Sequence, residues 1–103
     1  MFIAYDVSIE LSQNLRHLVP IIKQHDHNLA DQIQRGATSI SLNLNEGSRL
    51  TAGNKRKHFD IAHGSANEVK GALDLADAWG LVAAEATSEA RRILDRLSPY
   101  SGA

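Results

Sequence analysis

Gln32 to Arg49 reads QIQRGATSISLNLNEGSR, and Phe59 to Glu68 reads FDIAHGSANE. These two stretches decide the fold. At about 100° per residue, Leu29, Ile33, Ala37, Ile40 and Leu44 fall within one narrow arc of a helix. Asp31, Gln34, Thr38, Ser41 and Asn45 fall on the opposite side, where water is expected. Gln32, Arg35, Ser39, Asn43 and Glu46 recur at three- and four-residue steps. They form a second, polar stripe roughly 120° around from the apolar one. In the second stretch, Phe59, Ala62 and Ala66 open an apolar face that continues through Val69, Leu73 and Ala76, with Ser65 and Glu68 at its edge. Ile61, Ala72, Leu75 and Trp79 widen that arc to roughly half the circumference. Asp60, His63, Asn67, Lys70, Asp74 and Asp77 take the remainder. An arc this wide exceeds what one neighbour covers, so this helix is either central or also buried between subunits.

The same periodicity extends outward in both directions. Leu11, Leu15, Leu18 and Ile22 make one apolar stripe and predict a first helix over about 8–24, with Asp6 or Ser8 as N-cap. Pro20 lies inside it and predicts a kink or an early end. The second helix is expected over about 29–48, capped by Asn28 with Asp31 in its first turn. Gly47 and Gly53 bracket a turn, and Thr51 or Asn54 starts a third helix over about 54–79, which Gly80 stops. Ala86, Ala90, Ile93, Leu94 and Leu97 predict the inner face of a fourth helix over about 84–98, with Pro99 and Gly102 beyond it. No segment sustains the period-two alternation of a strand. The expected fold is therefore all-α, a single domain over residues 1–103, with short connections that give an antiparallel up-down-up-down four-helix bundle.

Composition agrees with this reading. A chain of 103 residues buries roughly 60–68% of its unfolded surface, enough for one modest core. With 43% hydrophobic but only 5% aromatic residues, that core is aliphatic. The absence of cysteine excludes disulfides, thiolate catalysis and cysteine-ligated metal centres. Eleven Lys+Arg against twelve Asp+Glu leave a net charge of −1, whereas dedicated nucleic-acid binders are usually basic. Any such role requires a local patch. No apolar run reaches the roughly 18 residues of a membrane span, and the start MFIAYDV lacks the basic flank of a signal peptide. A cytoplasmic location is the expectation.

The polar stripe has two readings: ordinary boundary residues at a helix edge, or a hydrogen-bonded seam between helices or subunits. The combination Gln32-Ile33-x-Arg35 … Ser39-Ile40-x-x-Asn43-x-x-Glu46-Gly47-x-Arg49, followed by Phe59-x-x-Ala62-His63-Gly64-Ser65-x-x-Glu68, resembles a family of small bacterial four-helix bundle proteins. That family includes the proteins encoded in 23S ribosomal RNA intervening sequences and the accessory protein of diversity-generating retroelements. The resemblance continues through Leu73, Ala76, Gly80 and Leu81. It implies a four-helix protomer assembled as a ring-like homo-oligomer, commonly a pentamer, with no enzymatic activity and no cofactor. For the retroelement branch it implies a basic surface that binds nucleic acid and a partner reverse transcriptase. Two positions depart from the pattern: Gly36 stands where the family tends to have alanine, and His63 where it usually has arginine.

The segment from Gly47 to Phe59 contains no acidic residue. Arg49, Lys55, Arg56, Lys57 and His58 make it the strongest local basic patch, and the candidate for contact with a phosphate backbone. The alternative is a solvated helix start. There is no aromatic interleaving of the kind that stacks single strands. Arg91, Arg92 and Arg96 form a second basic surface, which Glu89 and Asp95 partly neutralise. The five histidines show no metal-pair spacing, and no ExxH pair is present for a bundle-core metal site. Ser39, Ser41, Ser48 and Ser65 lack an adjacent base, so no catalytic residues are assigned. Gly64 and Gly71 are expected to permit close helix packing. Two functions remain: an oligomeric accessory or scaffold protein that binds nucleic acid or a nucleic-acid enzyme through the basic rim, and a purely structural or protein-binding oligomer.

Overall fold

The computed structural model describes residues 3–97, and among them there are four α-helices, one 3-10 turn and no strand. The helices are α1 (Ile3–Lys23), α2 (His27–Gly47), α3 (Ala52–Ala78) and α4 (Ser88–Leu97), with the 3-10 turn at Ala84–Thr87. α2 and α3 share the largest interface, α1 packs on α2, and α4 packs mainly on α1. Leu11, Ile22, Ile33, Ile40, Val69, Leu73 and Ile93 are fully buried. Each such side chain contributes about 1.5–3 kcal/mol of transfer free energy.

α1 begins earlier than its leucine spacing implies. Val7 is buried one turn before Leu11, and Ala4 and Tyr5 pack against the core, so the apolar stripe starts upstream. Ser8 is therefore a fully buried residue within the helix and not its cap, and Asp6 lies in the first turn. Pro20 does not end the helix, which runs on to Lys23. Pro20 and Arg16 are both exposed, so water reaches the Arg16 carbonyl that loses its partner, while Leu18 and Ile22 keep the inner face buried.

The cap of α2 is Asp26, not Asn28. Ile22 O accepts from both His25 N and Asp26 N, which closes the turn early and lets the next helix start at His27. The Asp26 carboxylate then accepts from Leu29 N at 3.0 Å. With the helix already under way, Asp31 falls beyond the first turn. Thr51 precedes α3 as expected, but its side chain makes no capping hydrogen bond. At the other end Gly80 has φ 69°, with Gly80 N donating to Asp77 O and Leu81 N to Ala76 O. This is a Schellman closure, which requires the left-handed conformation that glycine adopts at no steric cost.

The last helix is shorter than its pattern predicts. Residues 84–87 form the 3-10 turn, so Ala86 is exposed and Thr87 is buried in its place. The expected end at Ser98, with Pro99 and Gly102, lies outside the described residues. Two glycines also act differently from expectation. A Cβ at Gly64 or Gly71 would meet nothing within 4 Å, so neither serves packing within the subunit. Gly36 does: a Cβ there would lie 2.6 Å from Val69 Cγ2, so this departure from alanine admits the α3 valine.

Candidate nucleic-acid interface and polar seam

The two motif stretches meet at the α2–α3 interface, where part of the polar stripe closes into a seam. Ser39 Oγ and Ser65 Oγ lie 2.8 Å apart and share a hydrogen bond. Asn43 Nδ2 donates to Ser39 O at 2.9 Å and to Ser39 Oγ at 3.2 Å. That leaves Asn43 Oδ1 facing His58 Nδ1 at 2.8 Å, which assigns the ring proton to Nδ1. One turn further, Gly47 is buried beneath Phe59: a Cβ there would fall 2.6 Å from the ring. The asparagine and the glycine of α2 thus receive the adjacent His58 and Phe59 of α3, which fixes the register of the two helices.

The seam is smaller than the stripe that announced it. Gln32, Arg35, Glu46 and Glu68 are exposed and take no part in it. His58 moves the other way, from the basic rim into the seam. It is half-buried with one ring nitrogen committed to Asn43. Arg49, Lys55, Arg56 and Lys57 are exposed around the α2–α3 turn. The one ion pair among them joins Arg56 to Asp60 at 4.0 Å, with both side chains more than 70% exposed. A pair that open and long constrains little.

α4 contrasts with the turn. Arg91 donates from Nη1 to Asp74 and from Nη2 to Asp77, both at 2.6 Å, and from Nε to Thr87 Oγ1 at 3.2 Å. Thr87 Oγ1 in turn donates to Asp77 at 3.0 Å. The hydrogen bond that Arg91 donates to Asp74, reinforced by the one to Asp77, raises the Arg91 pKa above its ordinary value against an opposing contribution from burial. Arg96 pairs with Glu10 and Arg92 with Glu89. The arginines of this helix are therefore spent on carboxylates. The spacing of Asp74 and Asp77, one turn apart, was the available signal for this network, but its partner lies on another helix.

A second buried contact is unannounced in the sequence. Ser41, expected to face water, is buried and donates to Ser8 Oγ at 2.8 Å. Ser8 Oγ donates on to Tyr5 O at 2.6 Å. No general base adjoins either hydroxyl in this chain of bonds. Among the described residues no group of three His, Asp or Glu is placed to hold a metal ion. No helix among them is long and apolar enough to cross a membrane.

A sequence model of the family described as 23S rRNA-intervening sequence protein matches residues 2–101. The chain belongs to this family. Comparisons with curated proteins and with solved structures find no match. Membership in the 23S rRNA-intervening sequence protein family accords with the all-helical architecture and with the motif that spans α2 and α3. The family description names no enzyme class.

Proposed function

We propose that this protein is a non-enzymatic accessory or scaffold protein, built as an antiparallel up-down-up-down bundle and assembled with itself, a ring-like pentamer being the favoured form. It binds nucleic acid, or a nucleic-acid enzyme of the reverse-transcriptase type, through the basic rim of Arg49, Lys55, Arg56 and Lys57, with His58 at its edge. The compartment that suits this role is the cytoplasm. The antiparallel arrangement draws support from cross-helix contacts: Ser8 near the start of α1 meets Ser41 near the end of α2, and Asn43 late in α2 meets His58 early in α3.

The observation that carries the binding reading is the difference between the two basic surfaces. The arginines of α4 are paired with carboxylates, whereas Arg49, Lys55 and Lys57 join none of the ion pairs among the described residues. Cations left open on a solvated turn remain available to phosphates, and a ring would repeat them around its rim. Titration of labelled single-stranded RNA and duplex DNA at low salt tests this. The parent protein binds with an affinity that falls as salt rises, and K55E/R56E/K57E does not bind. Absence of binding by the parent at low salt would overturn the reading. The second reading, an oligomer that contacts only protein, draws on the net charge of −1 and on the outward Leu42, Ile61, Leu75 and Trp79.

A further inference from the structure

Ser12 on α1 and Ala37 on α2 lie one turn along from the Ser41–Ser8 hydrogen bond, and both side chains are short. Here the two helices leave an open groove of about 360 Å³ between them. Its floor is apolar: Leu15 and Ala37 are buried, and Val19 is half-buried beside Pro20. Its rim is polar, formed by the exposed Arg16, Gln34 and Thr38. Along α1 the groove runs from Ser12 to Pro20, about 12 Å at the helical rise. An apolar floor edged by a few polar groups, within the ~300–1,000 Å³ of small-molecule sites, suits a ligand of that size.

The charge on the rim narrows the class of ligand. Arg16 is the one charged residue that lines the groove, and no carboxylate faces it there. Arg16 forms none of the ion pairs among the described residues. Its Nε donates to His17 Nε2 at 3.4 Å, an exposed contact too long to hold the guanidinium firmly. Both Nη groups stay open to an acceptor, with the Ser12 and Thr38 hydroxyls and the Gln34 amide around them. We propose that the α1–α2 groove binds a small carboxylate with an unbranched apolar tail. The carboxylate accepts from the Arg16 guanidinium, and the tail lies over Leu15, Val19 and Ala37. Charge complementarity selects this occupant. One cation above an apolar floor matches a single carboxylate, whereas a phosphate backbone takes several cations in a row. The site is on the α1 side of α2 and stands whether or not the basic turn between α2 and α3 binds nucleic acid.

Titration of the isotope-labelled full chain with octanoate, followed by amide NMR shifts, tests the proposal. Octanamide, which has the same tail and no charge, is the control. Octanoate shifts amides within 12–20 and 34–38, and it binds about tenfold or more tightly than octanamide, because the charged hydrogen bond is lost with the carboxylate. R16Q brings octanoate down to the octanamide level and leaves octanamide unchanged. T38W, at an exposed position of the rim, obstructs the groove and weakens both. Circular dichroism confirms that both variants keep the fold. No localised shift from octanoate up to about 10 mM, a concentration that reveals even millimolar affinity, overturns the site. Shifts centred elsewhere overturn it equally. Equal affinity for octanoate and octanamide, or octanoate binding untouched by R16Q, overturns the role of Arg16 and with it the carboxylate.

Discussion

Ser8 and Ser41 show how a polar pair can be structural without any catalytic partner. Ser8 is 0% exposed and Ser41 8%, and the hydrogen bonds run in one direction, from Ser41 Oγ to Ser8 Oγ to the Tyr5 carbonyl. The two hydroxyls are therefore unequal. Replacing Ser8 by alanine strands the Ser41 donor in the core and costs about 1–2 kcal/mol, whereas Ser41→Ala leaves Ser8 its own acceptor and costs about 1 kcal/mol or less. In the S41A background, S8A costs less than it does alone. Urea denaturation of the two single variants and the double variant measures this, and strictly additive losses would contradict it. The contact also explains why a helix projection placed Ser41 in water. The projection centres one buried arc on the leucine and isoleucine stripe, but α2 packs against both α1 and α3, and Ser41 lies at the α1 edge of a wider arc. Asn43 and Ser65 were legible because their motif spacing put them beside the apolar arcs of two different helices. His58 was read by its charge and not by its reach, since nothing local reveals that Asn43 stands opposite.

Among the elements, the apolar periodicity of α2 and α3 was readable almost to the residue, and the starts of α1 and α4 were not. End positions depend on tertiary contacts: Val7 extends α1 because a core is there to receive it, and Asp26 displaces Asn28 because Ile22 O closes the preceding turn. The 3-10 turn before α4 depends on the Arg91 network in the same way. Thr87 is 1% exposed, and its hydroxyl is held between Asp77 and Arg91. Arg91→Ala removes the bonds to both aspartates and leaves Thr87 with one partner fewer. Because the Asp74 side chain is 58% exposed, its share is small. The expected loss is about 1–3 kcal/mol, with Arg91→Lys intermediate because an ammonium does not span both carboxylates. Thermal melts read the effect. Equal melting temperatures for R91A and the parent would show that the network does not hold the turn. The raised Arg91 pKa makes this contribution complete below the ordinary arginine value. It disappears only as pH climbs through the raised folded-state value, so the R91A deficit is constant through the neutral range on this account.

The distribution of charge over the whole molecule separates cations that stabilise the fold from those that do not. A net charge of −1 hides this, because the α4 arginines are matched to Glu10, Asp74, Asp77 and Glu89 while the α2–α3 turn keeps its cations open. Lys55 is the clearest case. It lies near the first turn of α3, a helix with no acidic residue in that turn and no side-chain cap from Thr51. The positive end of the helix dipole disfavours a cation there and favours a carboxylate. Lys55 is exposed and makes none of the ion pairs among the described residues, so its removal sacrifices no ion pair. K55E therefore stabilises the protein by about 0.3–1 kcal/mol at low ionic strength, and the gain shrinks as salt screens it. The same substitution weakens polyanion binding if the rim is the contact surface. A gain in stability coupled to a loss of affinity is the signature of a residue kept for what it binds and not for what it holds together. Thermal melts of K55E and the parent at low and high salt, run beside the binding titration, measure both sides. A lower melting temperature for K55E at low salt would contradict the electrostatic account of α3, and unchanged polyanion affinity would remove Lys55 from the rim.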